Sequence, residues 1–249
     1  NREANILALH ETLKNRTFKN SEYSTFTIYE PKERIIFRLP YYPDRILHHA
    51  IMNILEPIWV SVFTKDTYSC IKGRGIHGAM RNVKRAIKDR ENARYCLKID
   101  IRKFSPSIDH DVLKAIIRRK IKCKDTLALL DTIIDGVPIG NYLSQYFANL
   151  MLAYFDHWIK EEKRVRYYFR YADDMVFLAS TKEELHILLA DIKKYLAALK
   201  LTLKGNEQIF PIAENRADKH GRGLDFVGFV FYHNQTLMRK SIKQNFCRM

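Results

Sequence analysis

The chain is short of cysteine and of acid, and it has no long apolar run. Its four cysteines, Cys70, Cys96, Cys123 and Cys247, lie far apart and form no Cys-x-x-Cys pair. That spacing argues against a disulfide framework and against a zinc site, and the four read as reduced thiols in the core or at the surface. No run of about 18 uncharged apolar residues occurs, and no secretory leader opens the sequence, so the expectation is a soluble, intracellular protein. Asp and Glu number 28 against 43 Lys and Arg, a formal charge of +15. A polyanion is the natural partner for such a surface, because each phosphate neutralised releases condensed counterions. The plainer reading is a solvated, lysine-rich surface. The basic residues are spread along the chain, however, which suits a groove better than a disordered arm. With 249 residues, 47% of them hydrophobic, the chain can bury one domain or two closely packed subdomains. It begins at Asn1 without a Met and stops at Met249 directly after a basic segment, and we read it as a piece of a longer protein.

Against this background one stretch stands out, Phe169-Arg170-Tyr171-Ala172-Asp173-Asp174-Met175-Val176-Phe177. Both flanks are apolar and β-prone, so residues 171–174 read as the tight turn of a hairpin with two carboxylates at its tip. Adjacent aspartates repel each other and gain nothing from burial unless a cation lies between them. A second acidic strand end lies upstream, where alternating apolar residues in Tyr95-Cys96-Leu97-Lys98-Ile99 lead to Asp100. If the two elements are neighbours, Asp100, Asp173 and Asp174 converge. Three carboxylates from adjacent strands are the ligand set for a pair of Mg²⁺ ions, and the chemistry such a pair serves is nucleotidyl transfer.

The rest of the chain reads as alternating elements. Residues 3–13 have helical periodicity, and 26–40 form a hairpin with a charged tip. Pro43 opens a helix whose apolar stripe runs through Ile46, Leu47, Ala50, Ile51, Ile54 and Leu55 and ends near Pro57. His48 and His49 have no metal-ligand partner at i+4 and read as surface or template-side residues. Residues 68–77 make a basic loop with two glycines ahead of a helix from about 78 to 90. Helices at about 109–120 and 124–134 precede Gly136-Val137-Pro138-Ile139-Gly140-Asn141-Tyr142-Leu143-Ser144-Gln145 and a long amphipathic helix to about 163. Strands near 166–172 and 174–179, a helix at 182–199 and a strand around 201–204 complete an α+β pattern, a split βαβ arrangement with an antiparallel sheet. Two short strands hinged at Gly228 follow.

Asp100 in Leu-Lys-Ile-Asp-Ile and Tyr-Ala-Asp-Asp at 171–174 resemble motifs A and C of reverse transcriptases, and the order and separation of the other segments match. The resemblance implies a right-hand polymerase fold with fingers at 1–94, a palm at 95–236 into which fingers helices at about 109–140 are interleaved, and the start of a thumb at 237–249. It implies Asp100, Asp173 and Asp174 as catalytic residues, and Asp100, Ile101, Asp173 and Asp174 as the positions for two Mg²⁺ ions, which Mn²⁺ could replace. Lys32, Arg34 and Arg38 on the hairpin become candidates for triphosphate contacts, although hairpin tips are often charged only for solubility. By the same analogy Lys72, Arg74 and His77 would face template, Tyr171 the primer end, and Gly228 would lie in the primer grip. Gln145 would sit under the templating pair, and Lys204 is a candidate for protonating the leaving pyrophosphate.

Two details narrow the resemblance. Ile139-Gly140-x-x-x-Ser144-Gln145 is similar to the version found in reverse transcriptases of diversity-generating retroelements, bacterial relatives of the group II intron enzymes that copy a template RNA with errors at adenines. A Gln where relatives have Pro restores a backbone donor and adds an amide beneath the nascent pair. Five residues after Asp100, where the family usually has an aromatic that blocks a ribose 2′-hydroxyl, stands Ser105, with Phe104 one residue early. A serine is too small to exclude the hydroxyl by bulk. The implied setting is bacterial or phage-encoded and cytoplasmic. Template RNA, cDNA or primer, and dNTPs would be partners, along with a small basic helical accessory protein. An antiphage defence reverse transcriptase, or an RNA-binding module without catalysis, are the other readings.

Overall fold

The computed structural model describes residues 2–29, 33–136 and 142–248. Helix α1 (Arg2–Lys14) leads to a hairpin of β1 (Ser24–Ile28) and β2 (Arg34–Arg38), then to helices α2 (Ile46–Val60) and α3 (Gly75–Ala86). Strand β3 (Tyr95–Asp100) is followed by helices α4 (His110–Arg118), α5 (Lys124–Gly136), α6 (Tyr142–Met151) and α7 (Ala153–His157). Next come β4 (Tyr167–Tyr171), β5 (Asp174–Ala179), helix α8 (Lys182–Ala198) and β6 (Gln208–Pro211). Strands β7 (Leu224–Phe226), β8 (Phe229–Phe231) and β9 (Thr236–Met238) and helix α9 (Lys240–Cys247) end the chain. Two compact units result, one of Asn1–Val62 with Ile108–Met151, the other of Phe63–Ser107 with Leu152–Met249.

In the first unit the hairpin pairs antiparallel from Ser24 opposite Arg38 to Ile28 opposite Arg34. Trp59 of α2 packs its ring on Phe147 of α6 at 5.7 Å, and Tyr146 of α6 donates to Glu56 Oε1 at 2.6 Å. Helix α2 runs through Pro57 instead of stopping there. The N–H that proline lacks would have served Asn53, an exposed residue whose carbonyl water can satisfy. The reading of His48 as a surface residue is also corrected. It shares the buried side of α2 with Leu47, Ile51 and Met52, is 1% exposed, and neither ring nitrogen has a hydrogen-bond partner among the described residues. Burial lowers its pKa against the pull of Asp44.

The second unit is built on a four-stranded antiparallel sheet in the order β4-β5-β3-β6. Read along the chain this is the split βαβ topology that the sequence implies. Strand alternation puts Cys96, Lys98 and Asp100 of β3 on one face, with Asp174, Val176 and Leu178 of β5 beside them. On that face α3 and the β7-β8-β9 sheet cover a core containing Tyr68, Val83, Phe169, Val176, Phe226 and Phe231. Helix α8 contributes Leu185, Leu188, Ile192 and Leu196 to the core. Its N-cap is Thr181, whose hydroxyl accepts from the Glu184 N–H. Burial of Cys96 pushes its thiol pKa well up, so it is inert, while Cys70, Cys123 and Cys247 are free and exposed.

Other boundaries differ from expectation as well, among them that of α3, which runs Gly75–Ala86 instead of about 78 to 90. The helix expected to run to about 163 breaks at Leu152 (φ −105°, ψ 1°), and a turn of π-helix spans Trp158–Glu162. The fourth strand falls at Gln208–Pro211; at 201–204 only Leu203 makes a bridge, to Ile101. Gly205, at φ +83°, turns the chain between the two. Among the described residues no helix is long and apolar enough to cross a membrane.

Strands β7 and β8 are joined by Val227 (φ +45°) and Gly228 (φ +86°), a two-residue turn with both residues left-handed. A Cβ on Gly228 would lie 2.8 Å from Ile242 Cδ1. Gly228→Ala is expected to cost about 1–2 kcal/mol through backbone strain, with Ile242 moving aside. Urea unfolding of the two proteins checks this, and an unchanged midpoint would show that the turn is not under that constraint.

Candidate active site

The site begins with register. Asp100, the last residue of β3, stands directly opposite Asp174, the first of β5, and Tyr171 pairs with Asp174 across the turn that carries Asp173. Ala172 in this turn is left-handed, φ +55°, a conformation that costs a non-glycine residue roughly 1–2 kcal/mol. What holds it lies beneath. Arg170 is fully buried and donates from Nη1 to the Ala172 carbonyl at 3.1 Å. The same guanidinium meets the fully buried Asp156, Nε to Oδ1 at 2.8 Å and Nη2 to Oδ2 at 2.6 Å. Tyr168 and Thr67 hydroxyls donate to the same carboxylate at 2.6 and 2.8 Å. Asp66 and Tyr68 pair their backbones with that of Arg170.

Two lysines flank the carboxylates. Lys204 Nζ lies 2.9 Å from Asp100 Oδ2, and its backbone N–H donates to the Asp100 carbonyl at 2.9 Å. Lys98 Nζ lies 3.3 Å from Asp174 Oδ2. The other Asp174 oxygen is buried and has no hydrogen-bond partner among the described residues. Burial raises the Asp173 pKa to about 6, helped by the negative charge of Asp100 and opposed by a backbone hydrogen bond. Burial also raises that of Asp174, with Lys98 pulling the other way. Lys204 is shifted up by its hydrogen bond to Asp100.

These residues fit a hard divalent cation. The donors are carboxylate oxygens, one of them orphaned, and their mutual repulsion is relieved by positive charge. Among the described residues no trio of His, Cys, Asp and Glu side chains is already arranged to hold an ion, and the ammoniums of Lys98 and Lys204 take up carboxylate oxygens of Asp174 and Asp100. A pH dependence follows. A carboxyl with a pKa near 6 is mostly protonated at pH 5, so Mn²⁺ affinity is expected to fall about tenfold between pH 7 and pH 5, beyond any loss in an Asp173→Asn variant. Titration of bound Mn²⁺ across that range checks it, and a flat profile would contradict it.

Other sequence candidates take varied places. Ile101 is buried at the bridge to Leu203. Phe104 is buried and Ser105 half-buried, following Lys103 at φ +44°. His77, Tyr171 and Gly228 line one cleft of about 450 Å³ together with Val227, Phe229 and Ile242. Lys72 is exposed, whereas Arg74 spends Nη1 on the carbonyls of Thr64 and Thr67 and so ties its own loop together. Arg38 and Gln145 are exposed and belong to the first unit, as does Arg34 in β2. Lys32 and the Ile139-Gly140 start of the Ser144-Gln145 motif lie outside the described residues. Sequence reasoning missed Lys98, Asp225 and the Arg170–Asp156 pair. Lys98 had a signal, since a residue two before Asp100 in a strand shares its face.

Comparison with known proteins agrees with this geometry. Residues 29–206 match the family model described as reverse transcriptase (RNA-dependent DNA polymerase). Protein YkfC of Escherichia coli (strain K12) is 24% identical over 266 residues, covering 86% of this chain and 67% of that protein. The group II intron-encoded protein LtrA of Lactococcus lactis subsp. cremoris is 27% identical over 139 residues, 50% of this chain and 23% of that protein. In fold, the chain is similar to apo telomerase from Candida tropicalis, with a TM-score of 0.58 at 13% identity over 88% of this chain and 49% of that one. It is similar also to Candida tropicalis telomerase in complex with the TWJ fragment of telomeric RNA, with a TM-score of 0.63 at 12% identity over 95% and 48%. The chain thus spans about half the length of these telomerase chains. The match over most of its length, together with the aspartates at the paired ends of β3 and β5, shows that the chain belongs to the reverse transcriptase family.

Proposed function

We infer that the protein is an RNA-directed DNA polymerase that makes cDNA from a template RNA, with errors at adenines, within a diversity-generating retroelement. The observation that carries the polymerase reading is the placement of Asp100 opposite Asp174 with Asp173 in the adjoining turn. Enzymes of this family normally use divalent metal ions. Asp100, Asp173 and Asp174 would hold two Mg²⁺, with the Ile101 backbone beside them. Bound there, the ions would lower the pKa of the primer 3′-hydroxyl and neutralise the departing pyrophosphate.

The protein's own groups complete the reading. Tyr171, on the wall of the 450 Å³ cleft with His77 and Gly228, would position the primer end, and Lys72 would meet template phosphates. Lys204, whose ammonium lies beside the Asp100 carboxylate, would be the proton donor to the leaving group. Lys32, Arg34 and Arg38 would neutralise triphosphate charge. The retroelement assignment is supported by Ile139-Gly140-x-x-x-Ser144-Gln145, and an accessory protein that is basic and helical would then be a partner. Ser105 favours a second reading, a defence reverse transcriptase that uses a noncoding RNA or adds nucleotides without a template, because a small side chain there leaves sugar discrimination to Phe104.

Primer extension on matched RNA and DNA templates, with every product sequenced, tests these readings. Errors concentrated at template adenines are expected. Untemplated tails would replace the retroelement by the defence reading, and RNA binding without synthesis would leave a binding module.

A further inference from the structure

The two lysines at the acidic centre are held differently. Lys204 follows a strand bridge, has a side chain 48% exposed and forms an ion pair with Asp100. Lys98 lies within β3, one of the two interior strands, has a side chain 25% exposed, and shares its ammonium between Asp174 Oδ2 at 3.3 Å and the Asp225 carbonyl oxygen at 2.5 Å. Beyond it the contacts continue. The Asp225 carboxylate accepts from Arg239 Nε at 2.9 Å, and the Arg239 backbone N–H donates to the Gly228 carbonyl at 2.9 Å. These polar contacts, joined through the covalent frames of Asp225 and Arg239, link Asp174 to β7 and to the left-handed turn at Gly228, all of it inside one unit.

We propose that Lys98 is a positioning residue, the fixed counter-charge of Asp174, which sets how tightly the acidic centre takes a divalent cation and ties that centre to the hairpin walling the cleft. The inference rests on the reading of Asp100, Asp173 and Asp174 as the cation-holding set. Lys98 stands opposite Val176 on one side and Gln208 on the other, so the sheet ladder fixes it on the Asp100 face. Its positive charge opposes the approach of any second cation to Asp174. The Asp225 carbonyl gives the ammonium another acceptor as its hold on Asp174 weakens, so no charge is stranded. Because β7 carries that carbonyl, a change at Asp174 reaches the hairpin through a single side chain.

Mn²⁺ titration of the protein, without nucleotide or nucleic acid and read by electron paramagnetic resonance, tests the proposal. Lys98→Met and Lys98→Gln are expected to bind Mn²⁺ about tenfold more tightly than wild type, and Lys98→Arg to match wild type. Hydrogen exchange supplies a second readout. Mn²⁺ is expected to change protection over 224–231 in wild type and in Lys98→Arg, and to leave it unmoved in the neutral variants. A merely structural lysine would lower the melting temperature and leave Mn²⁺ affinity alone. If folded neutral variants bind Mn²⁺ no more tightly, while Asp173→Asn weakens binding, the role of Lys98 is overturned and the metal reading stands. If wild type binds no Mn²⁺, or Asp173→Asn binds it equally well, both are overturned.

Discussion

Asp156→Ala is expected to cost about 3–5 kcal/mol of folding stability, a large share of the 5–15 kcal/mol typical of a domain. The residue is fully buried and accepts hydrogen bonds from Arg170, Tyr168 and Thr67. Truncation would leave a guanidinium without its counter-charge and two hydroxyls without their acceptor, so the penalty is the desolvation of groups that stay behind. Burial is the largest single influence on the Arg170 pKa and acts to lower it, and the charge and hydrogen bonding of Asp156, joined by those of Tyr168, together give a net upward shift. A melting temperature lower by about 10 °C is the expected reading. A loss under about 1 kcal/mol would show that water enters and takes over these bonds. The double variant Asp156→Leu, Arg170→Met separates structure from positioning. An apolar pair is expected to recover the part of the loss that comes from the stranded guanidinium, while the Tyr168 and Thr67 hydroxyls stay without their acceptor, and it cannot donate to the Ala172 carbonyl. Activity should therefore stay low while the melting temperature rises above that of Asp156→Ala, and full activity in a folded double variant would remove Arg170 from any role in aiming the carboxylates.

Asp173→Asn is expected to act in opposite directions on stability and on rate. In the metal-free protein the carboxyl has a pKa near 6, above the ordinary value near 3.8, because of burial and the nearby Asp100. A folded-state carboxyl that holds its proton more tightly than the unfolded chain does favours folding at low pH. That contribution is lost as pH rises from about 4 through 6. Above pH 7 the native state carries the cost of the charge, and the amide removes it. After discounting for solvent screening, a gain of about 1 kcal/mol is expected at pH 8 without metal. The rate of nucleotide incorporation should fall by about 10³-fold, the scale seen when one essential electrostatic group is taken from a transition state. A variant less stable than wild type at pH 8 would mean that the charge is already well paired.

How much of this was legible in the sequence depended on whether local pattern or tertiary packing decided each feature. The β1-β2 hairpin, the turn at Asp173 and the ends of β3 and β5 follow from alternation and turn residues, and those local signals also brought the three aspartates together. The break at Leu152 had no glycine or proline to announce it, and it falls beside Met151, the last residue of the first unit. His48 looked polar enough for the surface, but its phase on α2 puts it with Leu47 and Ile51. Arg170 sits between two aromatics in a strand. Nothing in that triplet says that its partner is Asp156, fourteen residues away on a different element. The link from Asp225 to Lys98 uses a backbone carbonyl that no side-chain pattern encodes.

Single-nucleotide incorporation onto a DNA primer annealed to an RNA template, followed in Mg²⁺ for wild type and for folded Asp173→Asn, tests whether the three aspartates catalyse polymerisation. Templated extension by wild type, abolished by chelation, is expected, with a rate about 10³-fold lower in the variant. Equal rates in the two proteins, or extension that survives removal of the metal, would contradict that role.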